Sequence, residues 1–244
     1  VCHGGTVATK NVEQEFLKPY RHDVASSQWI HDAAENALAM PRHVACADCH
    51  NAHGATSSSG LPPTVPGALT GVKGVNLQGA VVPEASFEYE VCASCHGLNE
   101  PATPGIARKS GTRNIRLKIL STNASFHPMA TSGRNSSIAG LQPGYTATSF
   151  VSCTSCHNND DWTPSTANVP RGPHGSSYRY ILRQPYTASS QQRLMSSQEI
   201  CFSCHAFDVY ANPGAPEARK SACVGYSWMT KRPAIFSSVG SHFW

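Results

Sequence analysis

Charge is scarce in this chain. Lys, Arg, Asp and Glu make up 14% of its 244 residues, against roughly a quarter in an ordinary soluble domain. Its basic residues are scattered, so the formal charge of +4 does not describe a nucleic-acid surface. Long apolar runs are missing too, and nothing approaches the roughly 18 to 20 residues that a bilayer span needs. No basic-then-apolar segment opens the sequence, so a secreted chain of this kind is read as one whose signal peptide is already gone. Sustained apolar periodicity is also poor. A chain of this length would ordinarily bury a sizeable core, and here the side chains alone do not supply one.

Cysteine and histidine are present instead, and in a fixed pattern. Four complete Cys-x-x-Cys-His pentads occur: Cys46-Ala-Asp-Cys49-His50, Cys92-Ala-Ser-Cys95-His96, Cys153-Thr-Ser-Cys156-His157 and Cys201-Phe-Ser-Cys204-His205. This is the attachment signature of c-type haem. Two thiols add across the porphyrin vinyls, and the adjoining histidine is placed under the iron as proximal ligand. Paired Cys-x-x-Cys motifs also build zinc sites, and a single one can be a redox dithiol, but neither needs a histidine abutting every pair. Four haems would supply much of the missing apolar interior, and without them the chain is not expected to fold. Their propionates, two on each, would bring the net charge to about −4.

The first cysteines stand at 46, 92, 153 and 201, too unevenly spaced for a solenoid of equal repeats. Between them Gly, Pro and Ser cluster in the stretches 54–71, 101–111, 131–144 and 164–175, which read as loops. Loops this long are unusual unless something inside them is ligated. Helical composition is confined to short stretches upstream of pentads: Ala33–Met40 capped by Asp32 and ended by Pro41, Glu84–Cys95, and Ser190–Cys204. The expected fold is mainly irregular and loop-rich, with short α-helices and little β. It forms a single unit over 1–244 wrapped around a row of haems, with residues 1–40 as an N-terminal arm that packs on its own subunit or reaches a neighbour.

Twelve histidines minus four proximal ligands leave eight. Four six-coordinate irons need four more ligands. Methionine would raise the potential, but Met40, Met129, Met195 and Met229 serve equally well as packing residues, and bis-histidine ligation is the reading taken. His127 in Phe126-His127-Pro128-Met129 and His174 in Gly172-Pro173-His174-Gly175 sit where proline and glycine fix a loop that presents an imidazole. His53 follows the first pentad by three residues, and His22 lies in the arm. His31 and His43 form a second tier, and His242 is not counted as a ligand. Two cysteines remain. Cys2 pairs with Cys223 as a disulfide, or Cys2-His3 is the second half of a fifth pentad with His3 as proximal ligand; both readings stand.

With these motifs the chain resembles the multihaem cytochromes c that polymerise into extracellular filaments, the tetrahaem group in particular. Lys18-Pro19-Tyr20-Arg21-His22, Arg42-His43-Val44 before the first pentad, Phe126-His127-Pro128, Cys153 to Asn158, and Gly172-Pro173-His174-Gly175-Ser176 carry the resemblance across most of the chain. It implies bis-histidine haems in stacked and perpendicular pairs, with one distal histidine donated to the next subunit, here by His22 or His31 of the arm. The joint would then be head-to-tail and non-closing. The expected role is electron conduction by an extracellular filament subunit, with self and other redox proteins or extracellular acceptors as partners and no catalysis. A monomeric periplasmic shuttle is the alternative. A multihaem reductase stands further off, because it needs an open iron and this chain has histidines enough to close every one.

Overall fold

The computed structural model describes residues 3–24, 44–97, 114–138, 140–161, 163, 169–186 and 196–210. Regular structure is sparse, as the composition predicts. The described elements run α1 (Val12–Glu15), β1 (Tyr20–Arg21), α2 (Cys46–Cys49), β2 (Gly74–Val75), β3 (Val81–Val82), α3 (Glu88–His96), α4 (Ile115–Lys118), β4 (Gly175–Ser176) and α5 (Phe207–Tyr210). Single 3₁₀ turns lie at Gly67–Leu69, Cys153–Ser155, Arg179–Ile181 and Ile200–Ser203. Two short antiparallel ladders, β1 with β4 and β2 with β3, are the sheets among the described residues. No helix among them is long and apolar enough to cross a membrane.

The chain divides into two compact units, each assembled from separated segments. Unit 1 takes Val1–Arg21, Gly133–Ser149 and Cys156–Phe243, and unit 2 takes His22–Ser132, Phe150–Ser155 and Trp244. The division falls inside the third pentad and inside the expected arm. Because neither unit is continuous in sequence, no shift of composition along the chain marks it.

Unit 2 carries the apolar core. Helix α3 is its centre: Tyr89 and Ala93 pack with Val75 and Ile119, with Leu77, Ile115 and Met129 around them. Val91 packs with Val72 and Ala85. The helix starts later than its composition suggests, at Glu88 rather than Glu84, because Ser86 and Phe87 are held in place by the Glu90 carboxylate, which accepts their backbone N–H groups at 2.8 and 3.0 Å. A carboxylate in the first turn also suits the helix dipole.

Unit 1 is organised around polar side chains. Asn158 and Asn159, just after the third pentad, are 1% and 0% exposed. Asn158 Oδ1 accepts from the backbone N–H of Asn159 at 2.9 Å and of Gly172 at 2.8 Å. Lys18, between α1 and β1, donates at 2.7 Å to Asn159, Asp160 and Asp161 and pairs with Glu15 at 2.9 Å. Burial works to raise the Asp160 carboxyl, but hydrogen bonds from Lys18 and Ser177 outweigh it and hold the group below its ordinary 3.8. Glu15 moves the other way, because its burial outweighs Lys18. The expected helix over Ser190–Cys204 is a 3₁₀ turn over Ile200–Ser203 in its described part. The helix expected over Ala33–Met40 lies outside the described residues.

Candidate functional site

All four pentads fold as helical turns, in α2, in the C-terminal half of α3, and in the 3₁₀ turns at Cys153–Ser155 and Ile200–Ser203. A helical turn brings residues three and four apart onto one face, which is what two thiols and a histidine gripping one porphyrin require. In the first and fourth pentads the histidine N–H donates back to the first cysteine's carbonyl, at 2.9 Å for His50 to Cys46 and 3.0 Å for His205 to Cys201. In the first, the Asp48 carboxylate also accepts the Ala45 N–H at 2.6 Å and fixes the start of the turn.

Two of the four proximal candidates are locked at Nδ1. His50 Nδ1 lies 2.9 Å from the Ala68 carbonyl and His157 Nδ1 lies 2.8 Å from the Tyr180 carbonyl. A carbonyl only accepts, so Nδ1 carries the proton and Nε2 keeps its lone pair. That is how ligating histidines are oriented and made more basic. The Tyr180 carbonyl is aimed by an unusual backbone: Tyr180 and Ile181 have φ of 65° and 54°, a left-handed conformation costly for a β-branched residue. His205 differs, since its buried Nδ1 has no hydrogen-bond partner among the described residues. Burial lowers its pKa and favours the neutral ring, with Tyr210 edge-on at 5.2 Å.

The eight described pentad cysteines are free thiols, and successive pentads bring them together. Burial, then the charges of Cys92 and Cys95, raise the Cys49 thiol, although the residue keeps an exposed edge that weakens the first cause. Cys92 is hydrogen-bonded to Cys153, and that bond and burial hold it well above the usual thiol range. Within unit 1, burial and the charge of Cys204 push Cys156 up to about 11, and burial and the charge of Cys156 push Cys201 up to about 12. Thiols of successive pentads thus feel one another's charge, and Cys92 and Cys153 share a hydrogen bond. Among the described residues no three of His, Cys, Asp and Glu converge as a zinc cage would need. Two thiols and an adjoining imidazole on one helical turn are the donor set that c-type haem would take.

The distal candidates separate. His22 faces His96 in unit 2, with ring centroids 6.3 Å apart and planes tilted by 50°. His174 packs edge-on against Phe16 at 5.9 Å in unit 1. The flanking glycines of its loop are required by shape: Gly172 has φ of +123°, and a Cβ there would come within 3.1 Å of the His174 ring. A Cβ on Gly175 would overlap the Glu15 carbonyl. His127 is half-buried, while His53 and His3 are exposed. The loop holding His53 is built by Asn51, whose Oδ1 accepts the His53 N–H at 3.0 Å. His31, His43, His242, Cys2 and Cys223 lie outside the described residues.

Several residues at the site carry no signature in the sequence. Glu88 is 4% exposed and accepts the Thr154 N–H and hydroxyl, both at 2.8 Å, tying the second pentad's helix to the third pentad's turn. The one hint was that Thr154 occupies a variable pentad position. Arg183 donates its N–H to the Cys156 carbonyl at 3.0 Å, and its buried Nε has no partner among the described residues. A carboxylate group placed there would find a cation waiting.

No protein-family model matches the chain, and no curated protein or solved structure is detectably similar to it.

Proposed function

We propose that this chain is a multihaem c-type cytochrome whose class of work is electron transfer without substrate turnover. Within that class it is read as the subunit of an extracellular, electron-conducting filament. The observation that carries the reading is that all four Cys-x-x-Cys-His pentads fold as helical turns, which set two thiols and an imidazole on one face, with the Nδ1 atoms of His50 and His157 held by backbone carbonyls. Cys92 and Cys153, joined by a hydrogen bond, would set the porphyrins of the second and third pentads side by side. When bound, haem supplies the one-electron couple of its iron.

The chain's own residues do the rest. Cys46 with Cys49, Cys92 with Cys95, Cys153 with Cys156, and Cys201 with Cys204 hold four groups. His50, His96, His157 and His205 stand as proximal ligands, and Ala68 and Tyr180 orient two of them through backbone carbonyls. His22, His53, His127 and His174 are the first distal candidates, with His31 and His43 behind them. Arg183, whose Nε is buried, would meet a propionate. A filament would be a head-to-tail assembly of this chain with itself, outside the cell.

An intact-mass measurement of the secreted holoprotein, followed by electron microscopy, tests this. Mass increments for four haems, or five if Cys2-His3 completes a pentad, together with filaments are expected. The mass of the bare polypeptide would overturn the class, and four haems on a particle that stays monomeric at high concentration would replace the filament with a soluble shuttle.

A further inference from the structure

We infer that His22 and His96 are the two axial ligands of one iron, so that His22 closes the second pentad's haem from within its own chain. This rests on the haem reading above and adds a pairing that the sequence left open, where His22 was a donor to the neighbouring subunit. The argument is metric. A metal–imidazole bond is about 2.0 Å long, and in a five-membered ring with bonds near 1.35 Å the centroid lies about 1.15 Å behind the ligating nitrogen. Two such reaches laid end to end through one metal separate the ring centroids by about 6.3 Å. The observed separation of His22 and His96 is 6.3 Å.

That distance is too long for stacked rings in contact and equals the separation that one shared metal ion sets. A tilt of 50° between the planes is compatible, because each ring contains its own bond axis and is free to rotate about it. Both rings belong to unit 2, and both residues are half-buried. His96 ends α3, the most strongly packed helix described, so its position is set by Tyr89, Val91 and Ala93 beneath it. His22 is followed by a tight turn in which its carbonyl accepts the Val24 N–H at 3.0 Å. Among the distal candidates, His174 packs edge-on against Phe16 in unit 1 and His53 is exposed.

The test is His22→Ala in the holoprotein, read by mass and by electron paramagnetic resonance. Covalent attachment depends on the pentads, so the haem count stays at its wild-type value, while one haem per chain changes from low-spin to high-spin. Added imidazole returns that haem to low-spin by filling the vacated position. In His22→Met the same haem stays six-coordinate and its midpoint potential rises above its wild-type value, which covers the event that the alanine variant misfolds. Retention of every haem in the low-spin state in His22→Ala, at full haem count, overturns the pairing and leaves the cytochrome reading intact. A wild-type protein with no covalent haem overturns both. Dilution separates donation within the chain from donation across a joint: the low-spin state of this haem is expected to persist in dispersed monomers, and its loss on dispersal assigns His22 to a neighbour.

Discussion

The helix that bears the second pentad and the loop that follows the third are held by opposite means. Around α3, unit 2 buries Val72, Val75, Ala85, Tyr89, Val91, Ala93 and Ile119. In unit 1 the described buried apolar residues are Leu182, Ile200 and Phe202, and Asn158, Asn159, Ser176 and Glu199 are as enclosed as Leu182 or nearly so. Apolar packing is non-directional and tolerates some adjustment. A network of buried amides, carbonyls and one ammonium is directional, and it is costly wherever a partner is lost. Unit 2 therefore has the means to keep α3 ordered by itself, whereas unit 1 depends on whatever completes its interior.

The sharpest way to break this comparison is to remove the attachment chemistry. Replacing all eight pentad cysteines by serine should abolish amide protection over 175–182 while leaving measurable protection at Val91 and Ala93, as read by hydrogen exchange. Equal loss in both segments would mean that unit 2 also has no independent core.

A smaller effect comes from single side chains in the holoprotein. Ile119→Ala removes buried volume from the α3 core and should cost about 2–5 kcal/mol. Asn158→Ala leaves the Gly172 N–H without its acceptor, while the Asn159 N–H keeps the Gly172 carbonyl, and should cost about 1–3 kcal/mol. Asn158→Asp, which keeps an acceptor oxygen, should recover part of that. Denaturant unfolding measures all three, and a stabilised Asn158→Leu would contradict the polar account of unit 1.

The smallest effect is that of pH. Because the folded-state pKa of Asp160 is depressed below 3.8, its contribution to stability is fully present above that value and fades as pH falls through the lower, folded value. Glu15 opposes this: its pKa is raised above 4.5, so it favours the fold at low pH and loses that contribution as pH rises through the raised value. Protection of the β1 amides should hold from neutral pH to about 4 and weaken only below it. In Lys18→Ala the acid dependence attached to Asp160 should shrink, leaving the part that the Ser177 hydrogen bonds supply.

Much of the candidate site was legible in the letters. The pentads announce their chemistry because two thiols and an imidazole must stand at fixed spacing on one turn, and each is a side chain. The loop-rich fold was legible as well, from scarce apolar periodicity and abundant Gly, Pro and Ser. The residues that orient the imidazoles were not: Ala68 and Tyr180 act through carbonyl oxygens that every residue possesses. Glu88 and Asn158 act through partners 66 and 14 residues away, a pairing that composition does not carry. The glycines flanking His174 were visible as loop signals, but their physical reason, the ring lying against Gly172 and the Glu15 carbonyl against Gly175, needed coordinates.

The sequence by itself therefore determined which atoms can form bonds: eight thiols in pairs, four histidines beside them, and a surplus of imidazoles. Those follow from spacing within one turn of backbone. Only the tertiary structure decided that Cys92 and Cys153 share a hydrogen bond, that the rings of His50 and His157 are pinned by carbonyls, and that His22 stands across from His96. Each of these joins residues distant in sequence, and such a distance is closed by packing and buried hydrogen bonds rather than by local spacing.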